Sequence, residues 1–263
     1  MFSLRPLPPA KKSKIPRIII QTVKSKDNIP TQWLPSQASI KTIMPDWDYK
    51  LFDDVDNRNL VKEVCPFYLP YYDSFEFPIE RVDFVRSVYM TKFGGVYMDS
   101  DFEVLQRLDP LFEDGSDLYF VRSGNVGKYL TNSLIASAPG HPFWEQYRQE
   151  MIKPNPWWAF TKHFKVMCQT GPIKLSWAAA KYRPVFSYLP QKLVMPCSVC
   201  EVGRCNTEGA YLGPLEGKSW CGWDSHVLNY LLCNWRKLIV YLAILIIVAV
   251  AVYVLWKRGA FNR

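Results

Sequence analysis

Apolar and polar residues follow two different rhythms along the first two thirds of this chain. Pro16 to Thr22 (PRIIIQT) is a short β-branched run bounded by proline and polar residues, and it predicts a first, buried strand. Tyr49-Lys50-Leu51-Phe52 predicts a second strand, and Asp53-Asp54 then offers an N-cap for a helix reaching about Val64. From Pro78 to Phe93 the apolar residues fall at 79, 82, 85, 88, 89 and 93, which is helical spacing. Pro78 suits the first helical position and Gly94-Gly95 suit the stop. Val96-Tyr97-Met98 is a short buried strand, further strands are expected around 118–121 and 134–137, and a helix from about 142 to 152. The region from about 190 to 225 is rich in Gly, Pro and Cys and reads as loop. Strands alternating with helices predict one α/β domain over residues 15–230 with a largely parallel sheet.

The rhythm stops at the end of the chain. Leu238 to Trp256 (LIVYLAILIIVAVAVYVLW) has no charge and is apolar on every face. At about 1.5 Å per residue such a helix is close to the hydrocarbon thickness of a bilayer. Arg236-Lys237 and Lys257-Arg258 flank it, and Tyr241, Tyr253 and Trp256 lie near its ends, where amphipathic rings are stable. A transmembrane helix over 238–256 with a short basic tail over 257–263 is expected. The positive flanks are balanced and leave orientation open. No signal peptide is visible, since Ile18-Ile19-Ile20 is too short for an apolar h-region, so the expectation is a single-pass protein with a C-terminal anchor.

Composition adds three points. Hydrophobic residues make up 49% and aromatics 15% of the 263 residues, which excludes a disordered polymer. The net charge of +8 is uneven: the N-terminal stretch carries Arg5, Lys11, Lys12, Lys14, Arg17, Lys24 and Lys26 before any acid, and residues 1–14 form a basic tail. A solvated tail and contact with an anionic membrane surface both fit that pattern; nucleic acid is not expected, because no recognised motif accompanies the charge. Cys197, Cys200, Cys205 and Cys221 are compatible with zinc, with two disulfides, or with reduced thiols.

The candidate chemistry sits at Asp99-Ser100-Asp101, after the strand at 96–98, where open α/β sheets hold ligands. On an extended segment Asp99 and Asp101 project to one side and Ser100 to the other. Two close carboxylates repel unless a cation lies between them, and hard oxygen ligands beside a diphosphate suit Mn²⁺ or Mg²⁺. Asp83 and Arg86 are three apart on the preceding helix, hence on one face; a surface ion pair is the plain reading, donor contact the functional one.

The run from Pro78 to Phe112 (PIERVDFVRSVYMTKFGGVYMDSDFEVLQRLDPLF) resembles the core of the DXD-containing glycosyltransferase family, and within it the catalytic subunits of fungal inositol-phosphoceramide mannosyltransferases. The likeness extends in order through IPRIIIQTVKSKDNIPTQW, PDWDYKLFDD, NSLIASAPGHPFW, Gln169-Thr170-Gly171-Pro172 and Lys218-Ser219-Trp220. It implies a GT-A fold, a Rossmann-like sheet with the Asp-x-Asp at the donor site, and anomer-retaining transfer from a nucleotide sugar. By the same resemblance Asp101 ligates the metal and Asp99 contacts ribose or the metal. Asp83 and Arg86 hold the donor sugar, Gln21 and Thr22 lie near the base, Asn132 and Gly171 border the donor, and Ser219 and Trp220 close over the diphosphate.

Three positions depart from the family pattern. Ile20 stands where members often carry His, Cys221 follows the Ser-Trp pair where another His is common, and Phe102 replaces an acid. Cys221 or His226 is therefore the candidate third metal ligand. The resemblance points to mannose from GDP-mannose and a membrane lipid acceptor such as inositol-phosphoceramide, a Golgi or ER membrane, and a regulatory subunit as partner. A UDP-hexose donor with a glycan or protein acceptor, an inactive nucleotide-sugar-binding protein, and a zinc module over 197–221 are the other readings. Front-face attack is the expected mechanism, because no carboxylate is assigned as a nucleophile.

Overall fold

The computed structural model describes residues 13–123, 129–182, 185–201, 205–217 and 219–260. Most of the basic tail over 1–14, Lys218 and the last residues of the tail over 257–263 lie outside the described residues. The chain divides into two units, one up to Trp220 and one from Cys221.

The first unit opens with β1 (Ile18–Thr22), helix α1 (Leu34–Ile43) and β2 (Asp48–Phe52). β2 lies parallel to β1 in the register Ile18↔Asp48 to Thr22↔Phe52. Helix α2 (Asp54–Val64) starts as expected: Asp53 accepts from the Val55 and Asp56 amides at 3.1 and 3.0 Å, and Asp56 accepts from the Asp53 amide at 3.1 Å. A short α3 (Leu69–Ser74) leads to α4 (Pro78–Lys92), with Pro78 in the first turn and Glu80 accepting from the Phe77 amide at 3.0 Å.

Gly94 and Gly95 turn the chain from α4 into β3 (Gly95–Met98) with φ of 63° and 85°. A Cβ at Gly95 would stand 2.5 Å from the Ile18 carbonyl oxygen, so the close approach of β3 to β1 also requires glycine. After β3 come β4 (Phe102–Val104), β5 (Leu118–Arg122), β6 (Leu130–Ser137), α5 (Phe143–Met151), α6 (Lys162–Gln169), α7 (Pro172–Lys181), β7 (Ser187–Tyr188), α8 (Gln191–Val194) and β8 (Leu212–Pro214).

The main sheet has the order β2-β1-β3-β6-β5-β7. Its β2-β1-β3 part is parallel and Rossmann-like, whereas β6 runs antiparallel to both β3 and β5. The expectation of a largely parallel sheet is corrected to a mixed one. Strand direction depends on which neighbour a strand chooses, and β6 inserts between β3 and β5, a choice that local residue pattern does not carry. The α/β class itself holds, with one six-stranded sheet among helices.

Both faces of the sheet are covered, and strand alternation assigns each residue to one. Ile20, Tyr97, Phe120 and Ile135 join the core with Phe84, Val88, Tyr89 and Trp144 of α4 and α5. Their neighbours Ile19, Val96, Tyr119 and Leu134 join a second core with Ile40, Met44 and Leu212. Ile20 is thus a fully buried core residue.

The second unit contains one helix, α9 (Trp223–Ala260). It begins at Trp223, before the expected start at Leu238, and is long and apolar enough to cross a membrane, with none of its apolar window buried.

Candidate active site

The alternation that divides the core also decides what Asp99 meets. Tyr97 faces the α4 side of the sheet, and Asp99, two residues on, continues on that side. The Tyr97 hydroxyl donates to Asp99 Oδ1 at 2.6 Å, and Arg86 Nη2 donates to the same oxygen at 2.8 Å.

Beyond Met98 the expected extended geometry fails. The chain turns at Ser100-Asp101, with the Phe102 amide donating to the Asp99 carbonyl at 3.3 Å. Ser100, expected to point away from the site, is drawn inward: it is buried and its Oγ donates to the Thr22 carbonyl at 3.2 Å. The turn ties Ser100 to the end of β1, and the two-residue alternation ends with Asp99.

The reading of Asp83 and Arg86 as a surface ion pair is also corrected. Their side chains are 4% and 5% exposed, with Asp83 Oδ1 and Arg86 Nη1 at 3.0 Å. Helix α4 runs through the core, so even its polar face is covered. Arg86 further donates to the Asn132 carbonyl at 2.9 Å and stands 4.8 Å from the Tyr97 ring centroid. Asp83 accepts from Asn132 Nδ2 at 2.9 Å and Thr170 Oγ1 at 3.2 Å. Burial pushes the Asp83 carboxyl up to about 6, against the pull of Arg86. Burial opposes the charge on Arg86 too, yet Asp99, Tyr97 and Asp83 hold the guanidinium above its ordinary value.

Asp101 is differently placed. Its carbonyl accepts from the Leu215 amide at 2.7 Å, which brings the segment after β8 across the turn. That segment is held by β4–β8 pairing from Phe102↔Pro214 to Val104↔Leu212, and by Trp33 Nε1 donating to the Glu216 carbonyl at 2.8 Å. Asp101 Oδ1 is buried and has no hydrogen-bond partner among the described residues. Burial, and then the charge of Asp99, raise the Asp101 carboxyl to about 7; Asp99 is raised as well, by burial.

An unpartnered buried carboxylate oxygen beside a second carboxylate fits a hard divalent cation. Asp101 supplies the free oxygen, and Asp99 one that is already oriented by Tyr97 and Arg86. Among the described residues no group of three or more His, Cys, Asp or Glu side chains comes together. Cys221 and His226 belong to the second unit, His226 in the first turn of α9.

The remaining expected residues divide between the site's frame and its edge. Gln21 is fully buried: its Nε2 donates to Ser36 Oγ at 2.8 Å and to the Asp99 carbonyl at 3.2 Å, and its Oε1 accepts from Tyr49 at 2.9 Å. Thr22 donates to the Phe52 carbonyl at 3.2 Å and accepts from Asn57 at 2.9 Å. Gly171 precedes α7, where a Cβ would stand 3.0 Å from the Val166 carbonyl oxygen. Trp220 stacks on His163 with centroids 5.5 Å apart, and Ser219 is exposed. Tyr97, Tyr49, Ser36 and Thr170 were not anticipated as site residues. Tyr97 had a signal, its position two before Asp99 on a strand, and Thr170 another, its place in the run Gln169-Thr170-Gly171-Pro172. Cys197 and Cys205 form a disulfide, which excludes a four-thiol zinc site on 197–221.

Comparison with known proteins shows what this chain is similar to. Residues 30–116 match the family described as glycosyltransferase sugar-binding region containing DXD motif. The chain is 33% identical over 226 residues to inositol phosphoceramide mannosyltransferase 3 of Schizosaccharomyces pombe, covering 84% of this chain and 60% of that protein. It is 31% identical over 180 residues to mannosyl phosphorylinositol ceramide synthase SUR1 of Saccharomyces cerevisiae, covering 68% of this chain and 46% of that one. The chain thus spans about 60% or less of the length of these relatives. Among solved structures, the PaToxG glycosyltransferase matches with a TM-score of 0.47 at 15% identity, covering 66% of this chain and 71% of that one. An active-site mutant of LgtC matches with a TM-score of 0.42 at 9% identity, covering 82% and 95%.

Proposed function

Because this chain carries the DXD sugar-binding region of a glycosyltransferase family and is homologous to fungal inositol phosphoceramide mannosyltransferases, we propose that it transfers a hexose from a nucleotide sugar to a membrane glycolipid. The relatives' names give mannose as the sugar and inositol phosphoceramide as the acceptor; the donor proposed here is GDP-mannose. The observation that carries this reading is the unpartnered, buried Oδ1 of Asp101 beside Asp99 at the end of β3.

In this reading Asp101, with Asp99, holds Mn²⁺ or Mg²⁺. The cation, when bound, neutralises the charge that develops on the departing nucleotide diphosphate. Arg86, buried and doubly paired, fixes the orientation of Asp99. Asp83, Asn132, Thr170 and Gly171 frame the donor sugar, and Trp220 excludes water from the sugar's C1. Transfer is retaining and by front-face attack: the bond from C1 to the diphosphate oxygen breaks, the acceptor oxygen bonds to C1 on the same face, and the acceptor proton passes to the leaving phosphate. No covalent sugar–enzyme step is needed, and the site acts by positioning and electrostatics.

Residues 238–256 anchor the transferase domain in an ER or Golgi membrane. The Cys197–Cys205 disulfide supports a lumenal domain, since such bonds persist in oxidising compartments.

The test is Mn²⁺-dependent release of GDP from GDP-mannose by the detergent-purified protein, with inositol-phosphoceramide present, beside Asp101→Asn. Release that rises with lipid and is lost in the variant is expected. Release of UDP from a UDP-hexose instead replaces the donor; no turnover by folded protein with any donor overturns the reading.

A further inference from the structure

The segment between α5 and α6 presents aromatic rings to solvent. Trp157 is 93% exposed and Phe160 77%, while Trp158 beside them packs edge-on against Phe164. This is no slack loop. Pro154 and Pro156 restrict its backbone, Asn155 Nδ2 donates to the Lys165 carbonyl at 3.1 Å, and the Ala159 amide donates to the Pro156 carbonyl at 2.9 Å. Ala159 is itself buried in a small core with Cys168 and Ile173. The two outward rings are therefore displayed by a braced turn, largely uncovered among the described residues.

Charge narrows what would cover them. From residue 151 to 200 the chain contains seven basic residues and no Asp or Glu. Lys153 and Lys165 reach back to Glu150 and Glu76, and Lys162 lies at the start of α6, 5.6 Å over the Phe77 ring. Exposed Trp and Phe beside Lys162, with Lys153 and Lys165 already paired to acids, match the headgroup region of a bilayer, where aromatic rings bury their apolar bodies and a basic side chain meets lipid phosphate. The chain also carries a helix long and apolar enough to cross a membrane, which keeps the first unit within reach of one.

We propose that Trp157 and Phe160 form a second membrane contact, inserting into the interfacial layer of the bilayer that holds the C-terminal helix. The contact holds whatever the acceptor is. Helix α6 runs from this turn to Thr170, whose hydroxyl donates to Asp83 at 3.2 Å. Eight residues of helix span about 12 Å, so the docked turn would set the catalytic domain's site at a fixed, short height above the lipid surface. If the acceptor is a lipid, as proposed above, its headgroup then meets the site without leaving the membrane.

The experiment uses the full chain reconstituted in vesicles of phosphatidylcholine and phosphatidylserine, some with brominated acyl chains near the headgroup. The emission of Trp157 is obtained as wild type minus Trp157→Phe, and Trp256→Phe supplies the same difference for a ring of the spanning helix. Expected is Trp157 emission that is blue-shifted relative to detergent-free water exposure and quenched by the brominated lipid at least half as strongly as that of Trp256. Phe160→Trp should add a second quenched reporter. Trp157 emission that stays red and unquenched while Trp256 is quenched overturns the proposal. So does protection of Trp157 from hydroxyl-radical oxidation in native membranes but not in these vesicles, which would assign the turn to a protein partner.

Discussion

Gly217 lies so close to Asp101 that a Cβ built on it would stand 2.1 Å from Asp101 Oδ2. The segment that crosses the Asp-x-Asp turn therefore has room for the carboxylate only because residue 217 lacks a side chain. Gly217→Ala must push the carboxylate aside, which is cheap for folding and costly for ligation. We expect Mn²⁺ affinity to fall about 10- to 100-fold, the range for residues that orient metal ligands, with little change in the unfolding temperature. Isothermal titration and thermal unfolding of the detergent-solubilised protein check this together; a variant that binds Mn²⁺ like the wild type removes the role given to Gly217.

Tyr97→Phe keeps the buried ring beside Arg86 and removes one donor from Asp99. The lost hydrogen bond to a carboxylate is worth about 1.5–3 kcal/mol, and Asp99 regains freedom to rotate. Turnover should drop at least tenfold while the far-UV circular dichroism is unchanged. Equal kcat in the two proteins would reduce Tyr97 to packing.

Arg86 stands between two carboxylates with almost no access to water. Arg86→Ala leaves Asp83 and Asp99 unpaired and should destabilise the domain by about 3–5 kcal/mol. Arg86→Lys keeps the charge but loses the planar fork that reaches Asp83, Asp99 and the Asn132 carbonyl at once, so it should fold and yet be nearly inactive. Urea unfolding and GDP release distinguish these effects.

The pH dependence of stability has a definite sign at Asp101. Burial, and then Asp99, raise its carboxyl to about 7 in the folded chain, whereas the unfolded value is about 3.9. The folded protein therefore binds a proton the unfolded chain does not, and stability falls as pH rises through this window. Asp101→Asn has no such dependence. In EDTA its advantage over the wild type should grow from near zero at about pH 4 to about 2–4 kcal/mol above about pH 7, after allowance for partial exposure. Urea midpoints at both ends of the window measure it; parallel curves for the two proteins would contradict the assignment.

Local elements were legible in the sequence where a single element's own chemistry decides the outcome. Asp53 caps α2, Pro78 opens α4, Gly94-Gly95 close it, and the Asp pair follows a short apolar strand. The likeness to a DXD-containing sugar-binding region was legible for the same reason, since its motif is contiguous from α4 through the turn. The plane of the sheet was less so. Nothing in Leu130 to Ser137 announces that this strand runs antiparallel between β3 and β5.

The site required three dimensions. Asp83 and Arg86 look like an exposed i, i+3 pair because their helix is polar enough to have a wet face; they are buried because Asn132 and Thr170 close over them from two other elements. Ser100 and Gln21 hold the Asp-x-Asp turn through the end of β1, nearly eighty positions earlier by the chain. The sequence alone determined β1, β2, β3, β5 and part of β6, the start of α2 and both ends of α4, the apolar helix and the acidic pair, because propensity, capping and periodicity act within a few residues; β4, β7, β8 and α8 were not expected. Only the tertiary structure decided which carboxylate is restrained by Tyr97 and Arg86 and which keeps an open oxygen, because burial and hydrogen-bond partners come from segments that meet only when the sheet forms.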